Sequence, residues 1–153
     1  MSASTGPATL VEMVRDRAAS LDNAVAFEFE GRATTFAEFN LNTNRVANGL
    51  RALGVRPRER IAYLGKNSDI YFELLIGAMK ANVVMTPVNW RLAAPEIALI
   101  IKDCKAPILF VGPECVGLVR SIRHQQLPEL RVVIATEGDV AEWQSYPDRK
   151  SVV

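Results

Sequence analysis

Glu73-Leu-Leu-Ile-Gly-Ala-Met-Lys-Ala-Asn-Val-Val-Met-Thr-Pro-Val-Asn-Trp-Arg-Leu92 is the stretch on which the reading of this chain turns. Apolar residues recur at helical spacing as far as Lys80-Ala81, and the β-branched run Val83-Val-Met-Thr86 follows at once. Pro87 is expected to end that strand, and Asn89, Trp90 and Arg91 come directly after it. A helix that feeds a short apolar strand is half of a crossover unit, so the neighbouring sequence should supply the other half.

It does so on both sides. Arg60-Ile-Ala-Tyr-Leu64 reads as the strand before, with Asn67 and Ser68 offering a cap for a helix over 70–80. After the quoted stretch, Pro95 suits the first turn of a helix whose stripe is Ile97, Ile100, Ile101 and Cys104. Pro107-Ile-Leu-Phe-Val111 is apolar on both faces, as buried parallel strands are. A helix with Cys115, Leu118, Val119 and Ile122 inward follows, then the strand Arg131-Val-Val-Ile-Ala135. Strands alternating with helices predict an α/β fold, a mostly parallel sheet with helices on both faces.

Upstream, residues 8–21 read as an amphipathic helix with Leu10, Val14, Ala18 and Leu21 on one stripe. A small N-terminal β-hairpin is expected next, with Ala24–Glu30 and Ala33–Thr35 joined by a turn at Gly31-Arg32. Thr35 and Glu38 have capping-box spacing, so a helix starts there, with Phe39, Val46, Leu50 and Leu53 inward and Gly54 just beyond its end. Residues 1–7 are small and polar and are expected to be disordered; 8–136 form the α/β domain; 137–153 turn polar and are expected to be a loosely ordered tail.

Composition narrows the function. A chain of 153 residues with 49% hydrophobic and 23% charged residues has the make-up of one globular domain. The formal net charge of +1 and the scattered Lys and Arg give no reason to expect nucleic acid as a partner. Cys104 and Cys115 have no Cys or His at metal-ligand spacing, so no metal site is expected, and Cys104 reads as a small buried hydrophobe. The single histidine, His124, lies in a polar run and reads as surface. The first residues lack a basic and an apolar region, and no run is long enough to span a bilayer, so a cytoplasmic setting is expected.

Gly31, Gly49, Gly54, Gly65, Gly77, Gly112 and Gly117 stand alone, so neither a dinucleotide fingerprint nor a Walker-type loop can be assembled. The connection Gly65-Lys66-Asn67-Ser68 leaves two readings: an anion held by amides and Lys66, or a plain capped turn. No catalytic residue is assigned. Asn89, Trp90 and Arg91 are the candidate substrate-binding residues, because ligands of open α/β sheets sit beyond the strands' carboxyl ends. Arg91 then pairs with an acid or phosphate and Trp90 walls a pocket; otherwise Asn89 caps a turn, Trp90 packs on a neighbour and Arg91 makes a structural ion pair.

The quoted stretch resembles the second core motif of the adenylate-forming (AMP-binding) enzymes: acyl-CoA synthetases, aryl-CoA ligases, luciferases and peptide-synthetase adenylation domains. Asn82 and Val83 stand where most members have Gly or Gly-Ala. Thr35-Phe-Ala-Glu-Phe39 resembles the first core motif, and Asn44–Leu50, Leu53-Gly-Val55, Arg58–Ala62 with Asn67, and Pro87-Val-Asn89 with Arg91-Leu92, Glu96 and Ile97 continue the likeness over residues 8–112. The resemblance implies the flavodoxin-like N-terminal subdomain of a fatty acyl-CoA synthetase (long-chain fatty acid–CoA ligase). That family uses ATP, Mg and CoA, but its phosphate loop, ribose-binding acid and catalytic lysine are expected beyond the point where this chain stops. This part alone is therefore expected to bind no cofactor and to be inactive, with the remainder of the synthetase as partner. Two other readings stay open. One is a free-standing flavodoxin-like binding or interaction module; the other is self-association through an apolar face left bare.

Overall fold

Thr9 and Thr35 open helices by the same device. In the computed structural model, which describes residues 9–122 and 127–146, the Thr9 hydroxyl accepts the Glu12 N–H at 3.1 Å, and the Glu12 carboxylate accepts the Thr9 N–H at 3.0 Å. Thr35 and Glu38 repeat the exchange at 3.2 and 2.8 Å. Each pair satisfies donors that a helix start leaves free, and sets α1 (Leu10–Ser20) and α2 (Phe36–Ala52). Between them β1 (Val25–Phe29) and β2 (Arg32–Thr35) form the antiparallel hairpin. Its turn is Glu30-Gly31, one residue earlier than expected. Both residues have positive φ, 48° and 77°, the geometry that matches strand twist in a two-residue loop.

The second sheet is parallel throughout. Its strands are β3 (Arg60–Leu64), β4 (Val84–Val88), β5 (Ile108–Val111), β6 (Val132–Ala135) and β7 (Gln144–Ser145), in the order β4-β3-β5-β6-β7. The crossovers are α3 (Asp69–Lys80), α4 (Ala94–Cys104) and α5 (Val116–Ser121), the last preceded by a 3₁₀ turn at Pro113–Cys115. This is the flavodoxin-like strand order. Alternate side chains serve two cores. Ile61 and Tyr63 meet α2 and α3 with Leu50, Leu74 and Phe110, while Ala62 and Leu64 meet α4 and α5 with Ile97, Leu109 and Val119.

Four expectations need correction. Pro87 lies inside β4 because β4 is an edge strand, where one row of amides has no partner to lose. Leu10 and Leu21 are 49% and 43% exposed; α1 fully buries only Val14, against Phe39 and Ile76, with Val11 and Ala18 half-buried on the same stripe, so its two ends lie outside the contact. Ile100 and Leu118 are only half-buried. Within the stretch read as a loose tail, Gln144 and Ser145 pair with Ile134 and Ala135, and Tyr146 is 3% exposed in the core. One aromatic residue and a two-residue strand carry too little periodicity to show in sequence. His124, residues 1–7 and the tail from 147 lie outside the described residues. No helix among the described residues is long and apolar enough to cross a membrane.

Asn82 explains its place in the chain. Its φ of 57° is left-handed; its N–H donates to Met79 O at 3.0 Å and that of Val83 to Ala78 O at 2.8 Å. That is a Schellman end to α3, which Gly makes most easily and Asn tolerates.

The tightest packing is between α2 and α3. A Cβ added to Gly77 would land on Val46 and come within 3.1 Å of Thr43 O. Gly77→Ala therefore forces the helices apart and should lower stability by roughly 2–3 kcal/mol in urea unfolding. Lys105→Gly should raise it by about 0.5–1 kcal/mol, because Lys105 holds a left-handed φ of 52°.

A pH dependence follows from Cys115. Burial, then the Glu114 charge, holds its thiol up from 9.0 to about 11, with Lys66 opposing. The unfolded thiol ionises first, so this contribution is complete below pH 9 and is lost as pH rises toward 11. Cys115→Ala should show a smaller drop in urea midpoint than the parent between pH 8.5 and 10.5; equal drops would contradict the assignment.

Candidate functional site

Four connections converge at the carboxyl edge of the parallel sheet: Gly65–Ser68 after β3, Asn89–Arg91 after β4, Gly112–Glu114 after β5, and Thr136-Glu137 after β6. The crossovers leave β3 and β5 toward opposite faces, α3 on one and α5 on the other, so a crevice opens between these two strand ends. Its floor is bare backbone. The Gly112 N–H donates to Leu64 O at 2.8 Å, and a Cβ on Gly65 would lie 3.1 Å from Gly112 Cα and 3.1 Å from the Tyr63 hydroxyl.

The chain fills much of this crevice itself. The Glu114 carboxylate folds back over Gly112 and accepts the Lys66 N–H. The Tyr63 hydroxyl donates to Lys66 O at 2.6 Å, and burial pushes Tyr63 up to about 12, so it stays a donor. Ser68 Oγ accepts the Tyr71 N–H at 3.3 Å and caps α3. Of the two readings of Gly65–Ser68, the capped turn is the one present: an internal carboxylate already sits where an anion would. The space that remains, bordered by Lys66, Ser68, Glu114 and Glu137, is about 160 Å³.

The three candidate residues stand together beside it. Asn89 Oδ1 accepts the Arg91 N–H at 3.0 Å, so Asn89 shapes the turn. Trp90 is half-buried against the α4-side core. The Arg91 guanidinium lies 4.2 Å from the Trp90 ring centroid, and Lys66 Nζ lies 5.1 Å from the same centroid. Among the described residues Arg91 has no carboxylate partner; its contact is the ring face. Trp90 thus carries two cations from two different strand ends. Sequence spacing placed Lys66 and Trp90 in separate candidate loops, and only the pairing of β3 with β4 joins them.

A second polar region went unseen in the sequence. Glu73, 5% exposed, accepts from Asn42 Nδ2 at 2.6 Å and from the Tyr146 hydroxyl at 2.7 Å. Burial and the Glu73 charge hold Tyr146 well above the usual tyrosine range, so it donates. The cluster floors an open cleft of about 480 Å³. At its rim Arg32 grips Asp69 with two bonds of 3.0 and 3.1 Å and reaches Glu137 at 3.4 Å, tying the hairpin to the sheet. A signal for Glu73 was available: it is an acid directly before Leu-Leu-Ile, on the inward side of its helix. Among the described residues no group of His, Cys, Asp and Glu is arranged to hold a metal ion.

Comparison with known proteins places this geometry. The family model described as AMP-binding enzyme matches residues 14–152. A fatty acid–[acyl-carrier-protein] ligase of Streptomyces coeruleorubidus is 41% identical over 137 residues, 90% of this chain and 26% of the relative. A feruloyl-CoA synthase of an Amycolatopsis species is 40% identical over 126 residues, 82% of this chain and 25% of the relative. The crystal structure of the anthranilate CoA ligase AuaEII with anthranoyl-AMP superposes with a TM-score of 0.87 at 29% identity, over 98% of this chain and 29% of that one. The chain thus spans about a quarter of the length of these curated relatives. Matched along nearly all its length in both sequence and fold, the chain belongs to the AMP-binding enzyme family and corresponds to the N-terminal region of its acyl- and aryl-CoA ligases.

Proposed function

We propose that the chain is the N-terminal α/β subdomain of an ATP-dependent acyl-CoA synthetase. The complete protein joins a carboxylic acid, ATP and CoA into acyl-CoA, AMP and pyrophosphate, in the cytoplasm. Within it, Asn89, Trp90 and Arg91 form part of the substrate-binding wall. The observation that carries this is the Trp90 ring with Arg91 at 4.2 Å and Lys66 at 5.1 Å, at the carboxyl end of β4. A guanidinium stacked on a ring and free of any described carboxylate keeps its donors for an incoming acid or phosphate.

The same edge does not suit a triphosphate. Glu114 already takes the Lys66 N–H and, with Glu137, puts negative charge beside the crevice. Adenylation needs donors on the phosphates and a metal-assisted clamp. The reading therefore assigns ATP and Mg to the rest of the synthetase, which is also the partner that this domain packs against. Exposed Phe72, Met79 and Val84 (45%, 41% and 51%) lie on α3 and edge strand β4, apolar surface that such packing, or self-association, would cover.

Two measurements test the proposal. Titration calorimetry of the isolated 153-residue chain with Mg-ATP should show no micromolar binding; a micromolar site would overturn the assignment of ATP to the remainder. In the complete protein, Arg91→Ala should lower kcat/KM by about 10–100-fold, the size expected for a lost charge-assisted hydrogen bond. Arg91→Lys should recover part of that. Unchanged kcat/KM for acid, ATP and CoA in Arg91→Ala and Trp90→Ala would sink the role of this turn.

A further inference from the structure

Lys80 closes α3, and its ammonium turns back into the seam with α2. Nζ donates to Asn40 Oδ1 at 2.6 Å, Asn44 Oδ1 at 2.8 Å and Asn40 O at 3.3 Å. All three acceptors are neutral. Among the described residues no carboxylate comes within ion-pair distance. The charges that do face this corner have the same sign. Arg15 acts on it from α1, and Arg51 of α2 donates to Lys80 O at 2.9 Å, meeting the negative end of the α3 dipole. On α3 itself the acid Glu73 lies two turns back, bound to Asn42 and Tyr146. The hydrogen bonds to neutral oxygens favour the ammonium, but partial burial and the like charge of Arg15, with no counter-ion among the described residues, oppose it. The neutral amine that these favour is a nucleophile.

We propose that Lys80 is a modification site, the lysine of this domain most reactive toward activated acyl groups such as acyl phosphates, mixed anhydrides and thioesters. The neutral Nζ attacks the acyl carbonyl carbon and forms a C–N bond. The carbonyl-to-leaving-group bond breaks, the leaving group departs with its electron pair, and the surplus Nζ proton passes to water. The product amide carries no charge and a single N–H, so it cannot keep both bonds to Asn40 and Asn44, and acylation loosens the strap between α2 and the end of α3. Burial, aided by Arg15, brings Lys80 down from 10.5 to about 8, which leaves a sizeable neutral fraction at physiological pH. The reactivity stands apart from the proposed synthetase activity; only a local supply of acyl donor would rest on that reading.

Trace acetylation of the chain with acetic anhydride across pH 6.5–11, read per lysine by peptide mass spectrometry, tests this. Lys80 should be labelled at pH 7.5 at least about fivefold faster than the exposed Lys102 and Lys105, with half-maximal reactivity near pH 8. In 8 M urea the advantage should vanish, and Lys80→Arg should remove the labelled peptide. Labelling of Lys80 no faster than that of Lys102 and Lys105, or an advantage that survives urea, would overturn the proposal. Substituting acetyl phosphate for the anhydride should preserve the ranking; a reversed ranking would overturn it as well.

Discussion

The contact of Gly77 with Val46 and Thr43 is the constraint from which much of the molecule follows. Because position 77 has no side chain, α2 lies directly on α3, and the pair covers one face of the sheet as a unit. That closeness lets Leu50 and Leu74 share a core with Ile61 and Phe110. It also brings polar groups together that a looser pair would leave in water: Asn42 on Glu73, Asn40 and Asn44 on Lys80, and Arg51 on Lys80 O. The bonds of Asn42 to Glu73 and of Asn40 to Lys80 are partly buried, where polar groups are tolerated when partnered, so these two help to fix the register of the helices. Those of Asn44 and Arg51 lie at the exposed rim. The shape of the seam and the chemistry of Lys80 have one origin.

At the carboxyl edge the governing fact is contact between strand ends. Gly65 and Gly112 permit β3 and β5 to finish side by side, and Glu114 then reaches back to the Lys66 amide. The crevice that this topology normally offers to a ligand is held by the chain's own carboxylate. The Lys66 side chain is left to lean over Trp90, beside Arg91. Cationic and aromatic character thus gathers beyond β4, toward the outer edge of the sheet. This is the feature on which the proposed role of the turn as one wall of a larger site rests.

Local chemistry was legible wherever a residue's partner lay within a turn or two. Thr35 and Ser68 as caps, the strands over 60–64 and 108–111, and Gly54 beyond α2 with a φ of 76° all follow from short-range rules. The family motifs were legible for the same reason, being short and correctly spaced. Pro87 misled because the rule against proline in strands assumes partners on both sides, and only the strand order makes β4 an edge. Leu10 and Leu21 misled because periodicity records which residues share a face and not whether anything packs on that face.

The sequence by itself determined the alternation of strands and helices, the helix starts, and a site candidate at Asn89, Trp90 and Arg91, since all of these are set by neighbours along the chain. Only the tertiary structure decided that Lys66 joins Trp90, that Glu114 occupies the crevice, and that Tyr146 docks on Glu73. It also decided that Lys80 lies among amides with cations for neighbours. These pairings span 24 to 73 residues of sequence. They arise because parallel crossovers and a side-chain-free helix contact bring distant groups within hydrogen-bonding distance, and no local propensity encodes that.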